Sequence, residues 1–155
     1  MGSDPFGAEL IENYLRTRGV RYFRGHHDDE FFFLLNTHHG RLHIHLEVCD
    51  ASGDTIRLNV AAERYFPAEL RARLADLADA WNRASPSAKA VVVESSDPTL
   101  IGVAAENRYS SADPGDFAAA VDQTIQSAIE LFNHTRVSAG LVPFDPADIA
   151  LLDAG

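Results

Sequence analysis

A chain of 155 residues, 46% hydrophobic and 23% charged, has the composition of one folded domain rather than of a disordered segment, and at this length buries roughly 70% of the surface its unfolded chain would expose. Its 23 acidic residues against 13 basic ones leave a formal net charge of −10. That balance argues against nucleic acid, which is held mostly by Lys and Arg on phosphates, and equally against an anionic membrane surface. The single cysteine, Cys49, rules out an intrachain disulfide and a four-cysteine zinc site. Residues 1–6 carry neither a basic cluster nor an apolar run, and no stretch is long enough to span a bilayer, so a reducing, cytoplasmic setting is expected.

In chain order, the first helix is expected from about Ala8 to Arg18. Leu10, Ile11, Tyr14 and Leu15 make one apolar stripe at helical spacing, and Gly19 is a stop signal. Residues 20–24 suit a short strand. Glu30–Asn36 is aromatic and apolar, as strands prefer, and Thr37-His38-His39-Gly40 reads as a turn. Arg41–Cys49 then alternates: Leu42, Ile44, Leu46 and Val48 on one side, Arg41, His43, His45 and Glu47 on the other. After a second turn over Asp50–Gly53, Thr55–Ala61 alternates again, with Ile56, Leu58 and Val60 against Arg57 and Asn59. Alternation of period two joined by short turns predicts an antiparallel meander with one buried face.

The second helix is expected to start near Pro67, a favourable first-turn residue. It carries Leu70, Leu74, Leu77, Ala78 and Trp81 on one face, and Pro86 closes the link behind it. Ala88–Glu94 and Leu100–Asn107 are two more strands about a Ser-Ser-Asp-Pro turn. The last helix is expected from Asp113-Pro114, with Asp113 as N-cap and Asp116 adding first-turn acidity. Its apolar face runs through Phe117, Val121, Ile125, Ala128, Leu131 and Phe132, and it ends before Gly140. Asp145-Pro146 suits one further helical turn.

The resulting order, α-β-β-β-α-β-β-α with a small extra strand near residue 21, predicts an α+β fold: a two-layer structure with a largely antiparallel sheet of about five strands and helices on one face. Residues 1–7 are expected to be a flexible N-terminus, 8–140 the single domain and 141–155 a C-terminal tail.

Several of these features form a pattern: a helix ending at Gly19, an aromatic strand block, a helix ending in Trp81-Asn82, a Pro86-x-x-Lys89 lead into a Val-rich strand, and a final helix carrying Phe117, Leu131 and Phe132. Over roughly Ala8 to Val137 the chain resembles the YbjN family, whose fold is shared with type III secretion chaperones. The resemblance implies a regulator in sensory transduction or stress. It brings no catalytic residues, because the family has none established. The secretion chaperones are acidic homodimers that hold partner proteins, and the acidity here agrees with that picture. The tail after Gly140 lies outside the pattern.

Candidate chemistry centres on the histidines, six of whose seven fall between His26 and His45. His43 and His45 share one strand face, and two neutral imidazoles so placed can ligate zinc, copper or nickel. A four-residue turn, however, pairs Asn36 with Arg41, sets Leu34 opposite His43 and Phe32 opposite His45, and so supplies no third ligand from that strand. Glu47 is expected opposite Arg57 and paired with it. His26-His27-Asp28-Asp29 has metal-binding chemistry but reads as a solvated connection. Histidines stacked on a dimer face would also repel one another once protonated. Cys49, between Glu47 and Asp50, is a poor nucleophile, because neighbouring carboxylates raise a thiol's pKa. Gly102 and Gly115 belong to no phosphate-binding loop. Trp81 and Phe117 read as core.

The outer sheet face is the more informative surface. Phe32 and Leu34 sit there among His43, His45, Arg57 and Asn59, and in a two-layer fold nothing obvious covers them. The expectation is a non-enzymatic protein-interaction module, chaperone-like or regulatory, that binds a partner protein and self-associates as a homodimer, with Phe32, Leu34, His43, His45 and Arg57 as partner-binding residues. No cofactor, nucleic acid or membrane is expected. The alternative is a small metal- or ligand-binding protein, an enzyme in one version, that uses the His-rich strands.

Overall fold

The structure, a computed structural model, describes residues 6–26, 29–38, 40–49, 55–63, 65–84, 86–110 and 114–138. In chain order these form α1 (Phe6–Arg18), β1 (Tyr22–Arg24), β2 (Glu30–Thr37), β3 (Gly40–Val48), β4 (Ile56–Ala62), β5 (Phe66–Pro67), a 3-10 turn (Ala68–Leu70), α2 (Arg71–Arg83), β6 (Lys89–Glu94), β7 (Leu100–Tyr109) and α3 (Pro114–Ser138). The α+β class, the antiparallel sheet and the helix count follow the expectation. The sheet has seven strands instead of about five: β1 is the small extra strand expected near residue 21, and the two-residue β5 adds one that was not expected. The Asp113 cap, the Asp50–Gly53 turn, the Asp145-Pro146 turn and the whole tail lie outside the described residues, as do His27, Asp28 and His39.

Every strand pair is antiparallel. The order runs β1-β2-β3-β4-β7, with β5 continuing along the β4 edge of β7 and β6 closing its other edge. Alternation places Phe31, Phe33, Leu42, Ile44, Leu46, Ile56, Leu58 and Val60 on one face, each at most 4% exposed. The helices pack over that face: α3 lies against β4 and β7, α1 against β3 and α3, α2 against β6 and α3. Phe117, Val121, Ala128 and Leu131 form the buried stripe of α3, and each large apolar side chain buried this way is worth about 1.5–3 kcal/mol.

Local chemistry explains the boundaries. α1 begins at Phe6, slightly earlier than the apolar stripe alone suggests, and stops at Gly19, whose φ of 69° is cheap only for glycine. Gly19 N–H donates to the Arg16 carbonyl at 3.1 Å and Val20 N–H to the Leu15 carbonyl at 3.3 Å, the paired closure of a Schellman end. Pro67 does not open α2. It is extended (φ −58°, ψ 140°) and pairs with Leu100 as the last residue of β5. Ala68 N–H then reaches the Thr99 carbonyl at 2.8 Å, and α2 proper begins only at Arg71. A proline that fixes φ near −65° fits an edge strand as well as a helix start.

Polar ties join the helices to one another and to the rims of the sheet. Tyr14 on α1 donates to Asp122 on α3 at 2.8 Å, and Arg18 pairs with the same carboxylate. Glu12 receives Tyr22 at 3.2 Å and also Arg24 from β1. On the opposite flank, Asn82 of α2 grips the Ala90 peptide of β6, its amide donating to the Ala90 carbonyl at 3.0 Å and its oxygen accepting the Ala90 N–H at 2.7 Å. Trp81 Nε1 donates to the Ala88 carbonyl at 3.0 Å. The Ala90 amide faces away from β7, so Asn82 satisfies the rim of an edge strand that would otherwise invite another chain.

Two predictions follow from these ties. Asn82→Ala leaves both polar groups of Ala90, itself 5% exposed, without partners and is expected to cost about 1–3 kcal/mol, read as a lower urea midpoint at unchanged slope. An unchanged midpoint would remove Asn82 from the account. Burial first, then the Asp122 carboxylate, pushes the Tyr14 phenol well above its ordinary range. A raised folded value means stability that is intact below about pH 10, where the unfolded tyrosine begins to ionise, and is lost as pH climbs beyond it. Wild type should therefore lose stability above about pH 10 faster than Tyr14→Phe does, which urea melts across that range will test.

Candidate partner-binding face

The face of the sheet away from the helices is built in cross-strand rows, because residues paired across neighbouring strands project to the same side. One row runs Phe23, Phe32, His45, Asn59, Glu106, Lys89. The next runs Leu34, His43, Ala61, Ala104, Val91, and a third runs Glu30, Glu47, Arg57, Arg108. The register is the one expected from the four-residue turn: Asn36 faces Arg41, Leu34 faces His43 and Phe32 faces His45. All five residues singled out from the sequence thus lie on one contiguous surface.

Its apolar part is larger than expected. Phe23 on β1 is 56% exposed, Leu34 43% and Phe32 38%, and Phe23 pairs directly with Phe32. Phe32 also stacks on the His45 ring, with centroids 4.6 Å apart at 23°. Sequence reasoning passed over Phe23, since a three-residue strand is too short for alternation to assign its faces. The run Tyr22-Phe23 beside an aromatic strand was the only available signal.

The charged part is paired. His45 Nε2 lies 2.8 Å from Glu30 Oε2, both largely shielded, and His43 Nε2 lies 3.4 Å from Glu63 Oε2. The two imidazoles engage different carboxylates and do not converge. Among the described residues no group of three or more His, Cys, Asp or Glu side chains is placed to hold a metal ion. Arg57 Nη2 donates to Glu47 at 3.0 Å, the pairing expected from register, and Nη1 lies 3.8 Å from Glu106. Its Nε is shielded from solvent and bonds to no protein acceptor. Cys49 is exposed and unlinked. Phe117 is fully buried, whereas Trp81 is half-buried against the core with its ring near His134.

A second feature, invisible in the sequence, lies on the helix side. Between the C-terminal half of α3 and the ends of β3, β4 and β5 is a groove of about 420 Å³. Leu42, Phe66 and Val103 form its floor, Ile129 and Phe132 its wall, and Arg41 and Arg136 stand among its polar residues. No helix among the described residues is long and apolar enough to cross a membrane.

Comparison with known proteins agrees with this architecture. A family model matches residues 7–136, that of YbjN, described as "Putative bacterial sensory transduction regulator". The crystal structure of YbjN from E. coli, described as a putative transcription regulator, superposes with a TM-score of 0.64 at 19% identity, covering 84% of this chain and 92% of that one. An uncharacterized protein from Methanothermobacter thermautotrophicus superposes with a TM-score of 0.54 at 10% identity, covering 85% of this chain and 98% of its own. No curated protein matches. At these identities the structural likenesses establish the fold, while the family match over most of the length establishes descent: the chain belongs to the YbjN family.

The Arg57 arrangement carries its own test. Arg57→Met leaves Glu47 and Glu106 flanking an uncharged position. Because all three side chains are partly exposed, the loss should be about 1 kcal/mol or less and shrink with added salt. Urea melts of the variant at low and high salt will show it, and a salt-independent loss would point to packing instead.

Proposed function

We propose that the chain is a non-enzymatic regulatory module that binds a partner protein through the outer face of its sheet, acting in a chaperone-like, stoichiometric way or by self-association. The observation that carries this reading is the cluster of Phe23, Phe32 and Leu34, three exposed apolar side chains on adjacent positions of β1 and β2. Single exposed apolar residues are ordinary; a contiguous group rimmed by polar residues is the usual sign of an interaction surface. Aromatic anchors dominate such interfaces, with paired charges around them supplying orientation more than affinity. Here the carboxylates next to the cluster already have guanidinium or imidazole partners, so the rim is polar and internally hydrogen-bonded.

The regulatory side of the proposal rests on family membership. The excess of acid over base in the chain supports a protein partner over nucleic acid, since Lys and Arg carry affinity for phosphates.

Native mass spectrometry of untagged protein, with elemental analysis of the same sample, is the first test. Metal-free protein that self-associates or captures a partner is expected. Phe23→Asp with Leu34→Asp, in a chain whose circular dichroism is unchanged, should weaken either association at least about tenfold, as loss of central apolar anchors does. Association untouched by the double substitution would refute this face as the interface, and one transition metal held per chain would move attention to His43 and His45.

A further inference from the structure

Three polar side chains of α3 are at most 9% exposed: Thr124, Ser127 and Thr135. Both threonines spend their hydroxyls on the helix itself, donating at 2.7 Å to the Ala120 and Leu131 carbonyls one turn back. Ser127 makes no such bond. Among the described residues its side chain has no hydrogen-bond partner, and it lines a cleft of about 380 Å³ instead. A shielded hydroxyl without a partner costs free energy, so the fold carries Ser127 at a cost unless a ligand meets it there.

The cleft lies between α3 and the end of α2. Gln123, Gln126, Ser127 and Glu130 stand together on α3, because spacings of three and four residues bring side chains to the same side of a helix. Across from them are Trp81, in the last turn of α2, and Pro86 with Ser87, just before β6. The indole N–H of Trp81 is spent on the Ala88 carbonyl at 3.0 Å, so Trp81 offers only ring surface. Glu130 is the one charged side chain lining the cleft, and no described residue forms an ion pair with it. No described Lys, Arg or His borders the cleft.

These groups select a ligand by charge. An anion would meet Glu130 with nothing to offset it. A cation meets a carboxylate, hydroxyl and carboxamide oxygens that accept hydrogen bonds, and an indole, the side-chain ring that attracts cations best. The formal net charge of −10 favours the approach of cations over anions. We infer that the cleft binds a small organic cation: a primary ammonium on a short apolar body, the ammonium held by Glu130 and the Ser127 hydroxyl, the body lying on Trp81 and Pro86. The cleft volume falls within the range of about 300–1,000 Å³ usual for small-molecule sites. Its occupant bridges α2 and α3 in the helix layer, so the site is independent of the outer-face interface.

The test uses the full chain, whose single tryptophan, Trp81, reports from within the cleft. Phenethylammonium is titrated at low salt and about pH 8, where an ammonium is charged, and followed by Trp81 fluorescence and by calorimetry. Phenethyl alcohol and phenylacetate serve as neutral and anionic matches. The ammonium should bind saturably, at least about fivefold more tightly than the alcohol and less tightly as salt is added; phenylacetate should not bind. Glu130→Gln should weaken ammonium binding at least about threefold, and Ser127→Ala at least about twofold. Ser127→Ala should also leave the urea midpoint unchanged or higher, because it removes a hydroxyl that bonds to nothing in the protein. Absence of saturation by both readouts, equal affinity for the alcohol, or affinity that Glu130→Gln leaves unchanged would overturn the assignment. So would a lower urea midpoint for Ser127→Ala, which would make the hydroxyl structural.

Discussion

One-sided burial of the sheet is the constraint on which the rest of the molecule depends. Each central strand places one set of alternate side chains against α1, α2 and α3, and slipping any strand by one residue would exchange buried leucines and phenylalanines for histidines and arginines. The penalty for such a slip, about 1.5–3 kcal/mol for each large apolar side chain turned outward, is comparable to the whole stability of a small domain. Register is therefore fixed strongly, and with it the composition of the opposite face. His43, His45, Arg57 and Phe32 share that surface because Ile44, Leu46, Leu58 and Phe33 must face the helices.

The same constraint leaves the two ends and both edges of the sheet to be managed separately. At the β6 edge Asn82 substitutes for a missing strand by engaging both polar groups of Ala90. At the β1 edge the strand is only three residues long, and a short edge is itself a defence against unwanted pairing. Two buried hydroxyls are satisfied beside the helix backbone: Thr124 donates to the Ala120 carbonyl and receives Asn107, and Thr135 donates to the Leu131 carbonyl.

What could be read from the chain alone was whatever is periodic or locally signalled. The alternation in β3 and β4, the turn count that sets Phe32 against His45, the Glu47–Arg57 pair and the stop at Gly19 all depend on residues close in sequence or one hairpin apart. Pro67 was misread because its fixed φ serves a helix start and an edge strand equally; pairing with Leu100, far along the chain, chose between them. Phe23 was missed for a related reason, since a strand this short has no period, and it joins the apolar cluster only by lying beside Phe32. The pairing of His43 with Glu63 and of His45 with Glu30 depends on how neighbouring strands end, which hydrophobic patterning does not encode.

By itself, then, the sequence determined the α+β class, the antiparallel meander, the one-faced helices, the five residues of the outer surface and the resemblance to the YbjN family, because each is a consequence of local pattern. Only the tertiary structure decided the seventh strand, the growth of the outer cluster to include Phe23, the separation of the two histidines onto different carboxylates and the existence of the groove under α3. The physical reason is that none of these four follows from a period in the sequence: the seventh strand and the groove arise where elements distant along the chain meet, while Phe23 and the histidine–carboxylate pairs depend on where neighbouring strands end and what lies beside them.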